Sequence, residues 1–156
     1  MINVKNDGDK TCFIDSNIWL YAFIETPQKS AIAKSIISNS DIAISTQVIN
    51  EVCVNLIKKV HFSEKNIQHL TESFYNKYDV IEINREILLK ASDIRGHHSF
   101  SFWDSLIVAS ALFWHSDILY SEDMQAGFII EETVIVNPFK ADCVICPSAT
   151  DIVNIK

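Results

Sequence analysis

The sequence predicts an α/β fold, a parallel sheet covered on both faces by helices. Three observations carry this. Short apolar runs recur as strands at residues 11–14, 42–44, 80–83, 117–120 and 133–136. Helical patterns separate most of them, and strands alternating with helices build parallel sheets. One of those helices, 103–115, carries Ile107, Val108, Ala109, Ala111, Leu112, Phe113 and Trp114 around nearly its whole circumference, and a helix apolar on every side is a buried one.

In chain order, the strand over 11–14 ends at Asp15. A helical pattern then starts at Ser16 or Asn17 and takes in Ile18, Trp19, Tyr21, Ala22 and Phe23. After Pro27, residues 30–37 read as a second helix, and the strand over 42–44 runs into the capping residues Ser45 and Thr46. The long helix that follows gathers Val48, Ile49, Val52, Cys53, Leu56, Ile57 and Val60 on one apolar face. Residues 63–78, opened by Ser63 with Glu64 behind it, form a mostly polar helix, and 80–83 is an edge strand. Residues 86–95 are helical and 96–99 form a loop holding His97 and His98. The buried helix and the strand before Ser121 come next, and the strand over 133–136 is cut off by Asn137 and Pro138.

The 156 residues fit a single domain, with its core over about 11–139 and a tail over 140–156. That length buries roughly two-thirds of the unfolded chain's surface without a metal or disulfide staple. Hydrophobic residues at 48% and charged ones at 21% exclude a disordered chain. The longest apolar run, 106–114, falls short of the roughly 20 residues that span a bilayer, and the polar first ten residues show no secretory signal. Both point to the cytoplasm, where Cys12, Cys53, Cys143 and Cys146 are expected as free thiols. Cys143 and Cys146 have C-x-x-C spacing but lack a second pair for a structural zinc, since Cys12 and Cys53 fall inside a strand and a helix. A net charge of −7 argues against the broad basic surface that grips nucleic acid without specificity. It leaves open an enzyme that reaches phosphates through bound cations and a few Lys or Arg residues.

Ligands of open parallel sheets bind outside the carboxyl ends of the strands. Asp15 and Asp123 follow strands directly, and Glu51 lies a short way into the helix after the second strand. Asp104 starts a helix, although no strand is evident before it. If these four converge, each like-charge pair about 4 Å apart costs about 4 kcal/mol at an effective dielectric near 20. Such a cluster must take up protons or hold cations. An all-oxygen set at a partly open site suits Mg²⁺ or Mn²⁺, and its natural chemistry is phosphodiester hydrolysis. Ser16, Asn17 and Ser121 are placed to fix the carboxylates or the water around a cation.

Each acid also has a plainer reading. Asp15 fits as the cap of the helix after it, and Ser101 with Asp104 approximates a capping box. On a helical wheel Glu51 points away from the Val48, Val52, Leu56 face, as a solvated side chain would. Asp123 fits an ordinary turn, with Glu122 competing for any role. His97 and His98 read as solvated loop residues rather than ligands, His115 near a helix end is favoured by the helix dipole, and Arg95 and His97 before Asp104 leave a phosphate contact open.

Five blocks in order resemble a known family. FIDSNIWLYAF over 13–23, STQVINEVCVNLIKK over 45–59, SFWDSLIVASAL over 101–112, DILYSEDMQAG over 117–127 and TVIVNPF over 133–139 are similar to the conserved blocks of PIN-domain ribonucleases, and among them of VapC-type toxins of toxin–antitoxin pairs. The resemblance implies a three-layer α/β/α sandwich with a mostly parallel, PIN-like sheet. It also implies a metal-dependent endoribonuclease using Mg²⁺ or Mn²⁺, an RNA substrate, a homodimer, and inhibition by a cognate antitoxin lying over the acidic cleft. The family's functional positions fall on Asp15, Glu51, Asp104 and Asp123, with Asn17, Ser16 and Ser121 in support. Two other readings keep the chemistry or the fold: a PIN nuclease that is not a toxin, acting in RNA processing or on DNA, and an inactive PIN scaffold, against which all four acids stand. A phosphoacceptor signalling domain would place adjacent acids after the first strand and a Lys after the last. Here Ser16 and Asn17 follow Asp15, and Lys140 comes only after Pro138.

Overall fold

The apolar runs and helical patterns resolve, in a computed structural model describing residues 10–140, into twelve elements. These are β1 Thr11–Ile14, α1 Ser16–Phe23, α2 Lys29–Asn39, β2 Asp41–Ser45, α3 Thr46–Val60, α4 Glu64–Lys77, β3 Asp79–Ile81, α5 Arg85–His97, α6 Phe102–Phe113, β4 Ile118–Tyr120, β5 Ile129–Ile130 and β6 Thr133–Val136. The tail with Cys143 and Cys146 lies outside the described residues, and with it the question of zinc.

The sheet order is β3-β2-β1-β4-β6-β5, with every pair parallel except β5 and β6. From β1 the chain steps through β2 to β3 on one side, then crosses back to place β4 on the other. Right-handed crossovers therefore put the helices of the first half on one face and α5 and α6 on the opposite face. The packing agrees, since α1 lies against α2 and α3, α3 against α4, and α5 against α6. The result is an α/β/α sandwich whose topological switch falls between β1 and β4, the place at the carboxyl edge where sheets of this kind bind ligands.

Central position explains the composition of β1. Cys12, Phe13 and Ile14 are all buried, as a strand covered on both faces requires. Trp19 of α1 is buried too, donates its indole N–H to the Ile14 carbonyl, and meets Phe74 and Tyr78 edge-on at 5.2 Å, which ties α1 to the end of α4. Ser105 through Leu112 are buried without a break, so α6 is apolar all round over its middle.

The ends of that helix differ from expectation. It starts at Phe102 and stops at Phe113, and Trp103 and Phe113 are exposed. His115 takes φ 57 beyond the helix, a left-handed value that breaks the turn. The apolar face of α3 is likewise shorter than expected, since Ile57 and Val60 are exposed past its last buried residue, Leu56. Residues 96–97 belong to α5 rather than to a loop. β5 is an additional antiparallel edge strand, joined to β6 through Glu131 at φ 51. Two-residue hairpins normally announce themselves with Asn or Gly at such a position, and this one does not.

Candidate active site

Asp15 follows the last residue of β1, where Ile14, Tyr120 and Val136 stand in one row across β1, β4 and β6. Its carboxylate does two things at once. One oxygen accepts from the Ser16 backbone N–H at 2.7 Å as the N-cap of α1, and the other accepts from the Ser121 hydroxyl at 2.8 Å. Asp15 is 5% exposed, and its pKa is raised from 3.8 to about 6. Burial is the main cause, and repulsion from Glu51 and Asp104 adds to it. Together they outweigh the hydrogen bonds from Ser121 and Ser16, which pull the other way. The capping reading is therefore correct as far as it goes, but a cap does not need to be buried where two further carboxylates raise its pKa.

Glu51 reaches this position from α3. It is half-buried rather than fully solvated, and its charge is felt at Asp15, where it raises the pKa. Gln47, one turn earlier, donates from Nε2 to Glu51 Oε1 at 2.9 Å and to the Trp103 carbonyl at 3.3 Å. One amide thus joins α3 to the first turn of α6, where Asp104 stands. The capping box is only half made. Ser101 accepts from the Asp104 backbone N–H at 3.1 Å, while no hydrogen bond to the Asp104 carboxylate is found among the described residues. That carboxylate is half-buried at the positive end of the helix dipole.

Asp123 lies at the rim, exposed, with Oδ2 accepting from Asn17 Nδ2 at 2.9 Å. Its competitor Glu122 is committed elsewhere. It forms an ion pair with Lys29 and accepts from the Tyr21 hydroxyl at 2.5 Å. Burial pushes the Glu122 pKa up, but Lys29 and Tyr21 outweigh it and hold it below the usual carboxylate value. Arg95 is also engaged, donating to the Ser105 hydroxyl at 2.6 Å with its guanidinium 4.3 Å over the Phe102 ring. His97 caps back to the Asp93 carbonyl on its own helix at 2.9 Å. The expectation that Arg95 and His97 wait in a loop for phosphate is therefore corrected: both belong to α5 and hold its end.

Glu51 and Asp104 thus both act electrostatically on Asp15, while Asp123 is held by Asn17 on the helix that Asp15 caps. Among the described residues no three His, Cys, Asp or Glu side chains are already gathered to hold a metal ion. The donor set nevertheless fits a hard divalent cation in kind. Its groups are all oxygens, and the most buried acid is one whose charge needs an opposite partner. Asn17 Oδ1 is also buried with no donor, although its Nδ2 is used. Gln47 escaped the sequence reading, and its one signal was its place a helical turn before Glu51.

The family model described as PIN domain matches residues 12–126, which includes all four acids. No curated protein sequence matches the chain. The fold is similar to a toxin–antitoxin complex from Klebsiella pneumoniae, at 18% identity over 79% of this chain and 95% of that chain, with a TM-score of 0.60. It is similar to VapC20 of Mycobacterium tuberculosis, described as a sarcin-ricin loop cleaving toxin, at 14% identity over 69% of this chain and 86% of that chain, with a TM-score of 0.59. VapBC2 from Rickettsia felis, bound to a DNA fragment from its promoter, aligns at 17% identity over 80% of this chain and 96% of that chain, with a TM-score of 0.58. From the strand that ends in Asp15 to the loop beyond Asp123 one family model fits, and the chain belongs to the PIN domain family.

Proposed function

We propose that this chain is a metal-dependent endoribonuclease and the toxin of a toxin–antitoxin pair. The observation that carries the reading is Asp15, a carboxylate buried at the topological switch with its pKa raised to about 6 by burial and by Glu51 and Asp104. A site that strains to keep its own charge is one prepared for a cation.

Asp15, Glu51, Asp104 and Asp123 would hold Mg²⁺ or Mn²⁺. A cation held there would supply a lowered pKa for water and charge to offset the phosphate oxygens in phosphodiester hydrolysis. The chain's own residues supply orientation. Ser121 and the Ser16 N–H fix the plane of the Asp15 carboxylate, Asn17 holds Asp123, and Gln47 holds Glu51 against the turn of Asp104. Glu122, drawn away by Lys29, leaves Asp123 as the acid at the rim.

RNA as substrate and an antitoxin as partner are supported by the sequence blocks and by the toxin–antitoxin proteins that share the fold. An acidic chain with an open acidic edge suits an inhibitor that inserts Arg or Lys near Asp15 and Asp123. We read the chain as one domain acting in the cytoplasm as a homodimer. No helix among the described residues is long and apolar enough to cross a membrane.

The test is cleavage of RNA by the purified protein with Mg²⁺ or Mn²⁺ and in EDTA. Loss of cleavage in EDTA and its return with excess Mn²⁺ is the expected result. Undiminished cleavage in EDTA would sink the cation, and cleavage of single-stranded DNA in place of RNA would sink the substrate.

A further inference from the structure

Beside the acids lies a groove of about 460 Å³ lined by Thr46, Gln47, Asn50, Glu51, Ile83, Trp103 and Leu106. Its size is that of a small-ligand site, about 300–1,000 Å³. Glu51 belongs to both the groove and the acid cluster, so whatever fills one touches the other.

The rim is aromatic. Trp103 is 62% exposed and Phe102 54% exposed, immediately before Asp104. Their rings meet edge-on at 5.2 Å, and Arg95 lies over the far ring while holding Ser105. The indole is thus a braced platform facing water, an arrangement the core does not need. The lining from α3 is polar, with Thr46, Gln47, Asn50 and Glu51. Asn50 is exposed there. Gln47 Nε2 serves Glu51 and the Trp103 carbonyl, which fixes the amide, its Oε1 buried, together with the Trp103 backbone.

Charge narrows the occupant. At −7 the chain has little electrostatic attraction for phosphates, and Lys29 and Arg95 are already engaged. Beyond what a bound cation supplies at the phosphate, affinity for a nucleic acid strand then draws on its bases, by stacking on aromatic faces. We propose that the groove takes one unpaired nucleobase of the RNA strand, stacked on Trp103 and contacted along its edge by the exposed Asn50 amide, so that the base beside the cleaved phosphate sets sequence preference. The proposal rests on the ribonuclease reading above.

The experiment compares the parent with Trp103→Ala and Trp103→Phe on a random-sequence pool of short single-stranded oligoribonucleotides. Trp103 is exposed, so both variants should melt with the parent. Trp103→Ala is expected to raise KM by about tenfold or more, the loss of one base stack, with kcat near the parent's and a flattened base preference next to the cut. Trp103→Phe should restore most of both. Unchanged KM and preference in Trp103→Ala overturns the proposal, as does a change confined to oligomeric state, which would make the rim a protein contact. If the parent cleaves no RNA, the ribonuclease reading fails separately, and the groove is judged by fluorescence. Quenching by the pool in the parent and its loss in Trp103→Phe supports base binding, and equal quenching in both overturns it.

Discussion

Replacing Asp15 by Asn should make the metal-free protein more stable near neutral pH, although it removes a residue at the centre of the site. The folded-state pKa is about 6 against an ordinary 3.8, a difference worth about 3 kcal/mol. The sign follows from proton linkage. A raised pKa means the folded state binds the proton more tightly, so stability is full below about pH 4 and declines until the pH passes about 6. Asn carries no titrating charge and caps about as well as Asp. Its Oδ1 can accept from the Ser16 N–H, and its Nδ2 can donate to Ser121, whose hydroxyl turns. Losing a negative charge at a helix N-terminus costs about 0.3–1 kcal/mol, which leaves a net gain of about 2 kcal/mol. For a chain of this size that is a rise in Tm of about 4–8 °C. Thermal melts of both proteins in EDTA, from about pH 4 to about pH 8, measure it. The gain should vanish toward pH 4, and saturating Mg²⁺ should narrow it near neutrality, because only the parent gains from binding. A variant equally stable or less stable than the parent across the whole range would refute the claim that Asp15 is held at a cost.

Asp104→Asn should reduce cleavage by orders of magnitude while shifting stability by only about a few tenths of a kcal/mol, since Ser101 makes the cap and Asn keeps the shape; full activity would return Asp104 to a helix-end role. Gln47→Ala frees Glu51 from the turn of Asp104 and is expected to lower activity by about 10–100-fold, with a matching rise in the Mg²⁺ concentration needed for half-maximal rate. An unchanged Mg²⁺ requirement would show that the bridge is idle. Glu122→Gln should leave cleavage close to the parent's, because Glu122 serves Lys29 and Tyr21 rather than the site; a collapse of activity would reverse the assignment of Asp123.

The sheet was legible because β1, β2 and β6 are short buried runs whose apolar residues have no solvent side to alternate with. Their order was not, since it depends on which way each crossover turns and not on local pattern. β5 escaped because its turn uses Glu131 where a sequence reader looks for glycine. At the site, Asp15 was visible from its place at a strand end. Glu51 was obscured because a helical wheel shows only a helix's own apolar stripe and not the Asp15 carboxylate on which its charge acts. Gln47 and Lys29 act only through partners brought near by the fold, Gln47 through the Trp103 carbonyl and Lys29 through Glu122. No periodicity could reveal either contact.

The pairing of β1 with β4 joins Cys12 to Ile118 and Asp15 to Ser121, and it has a consequence in time. Ribosomes add roughly 5–20 residues each second. The 108 residues that separate position 15 from position 123 (123 − 15 = 108) therefore take about 5–20 s to make at that rate. Until then the growing chain holds its first acid with no Ser121 to orient it and no Asp123 to complete the rim. Helices α1 to α4 can settle while α6 and β4 are still unmade, yet the cleft forms only when the last third of the sequence threads into the middle of the sheet. With the proposed acids as the site, strand order alone keeps it unassembled in any chain that ends before β4.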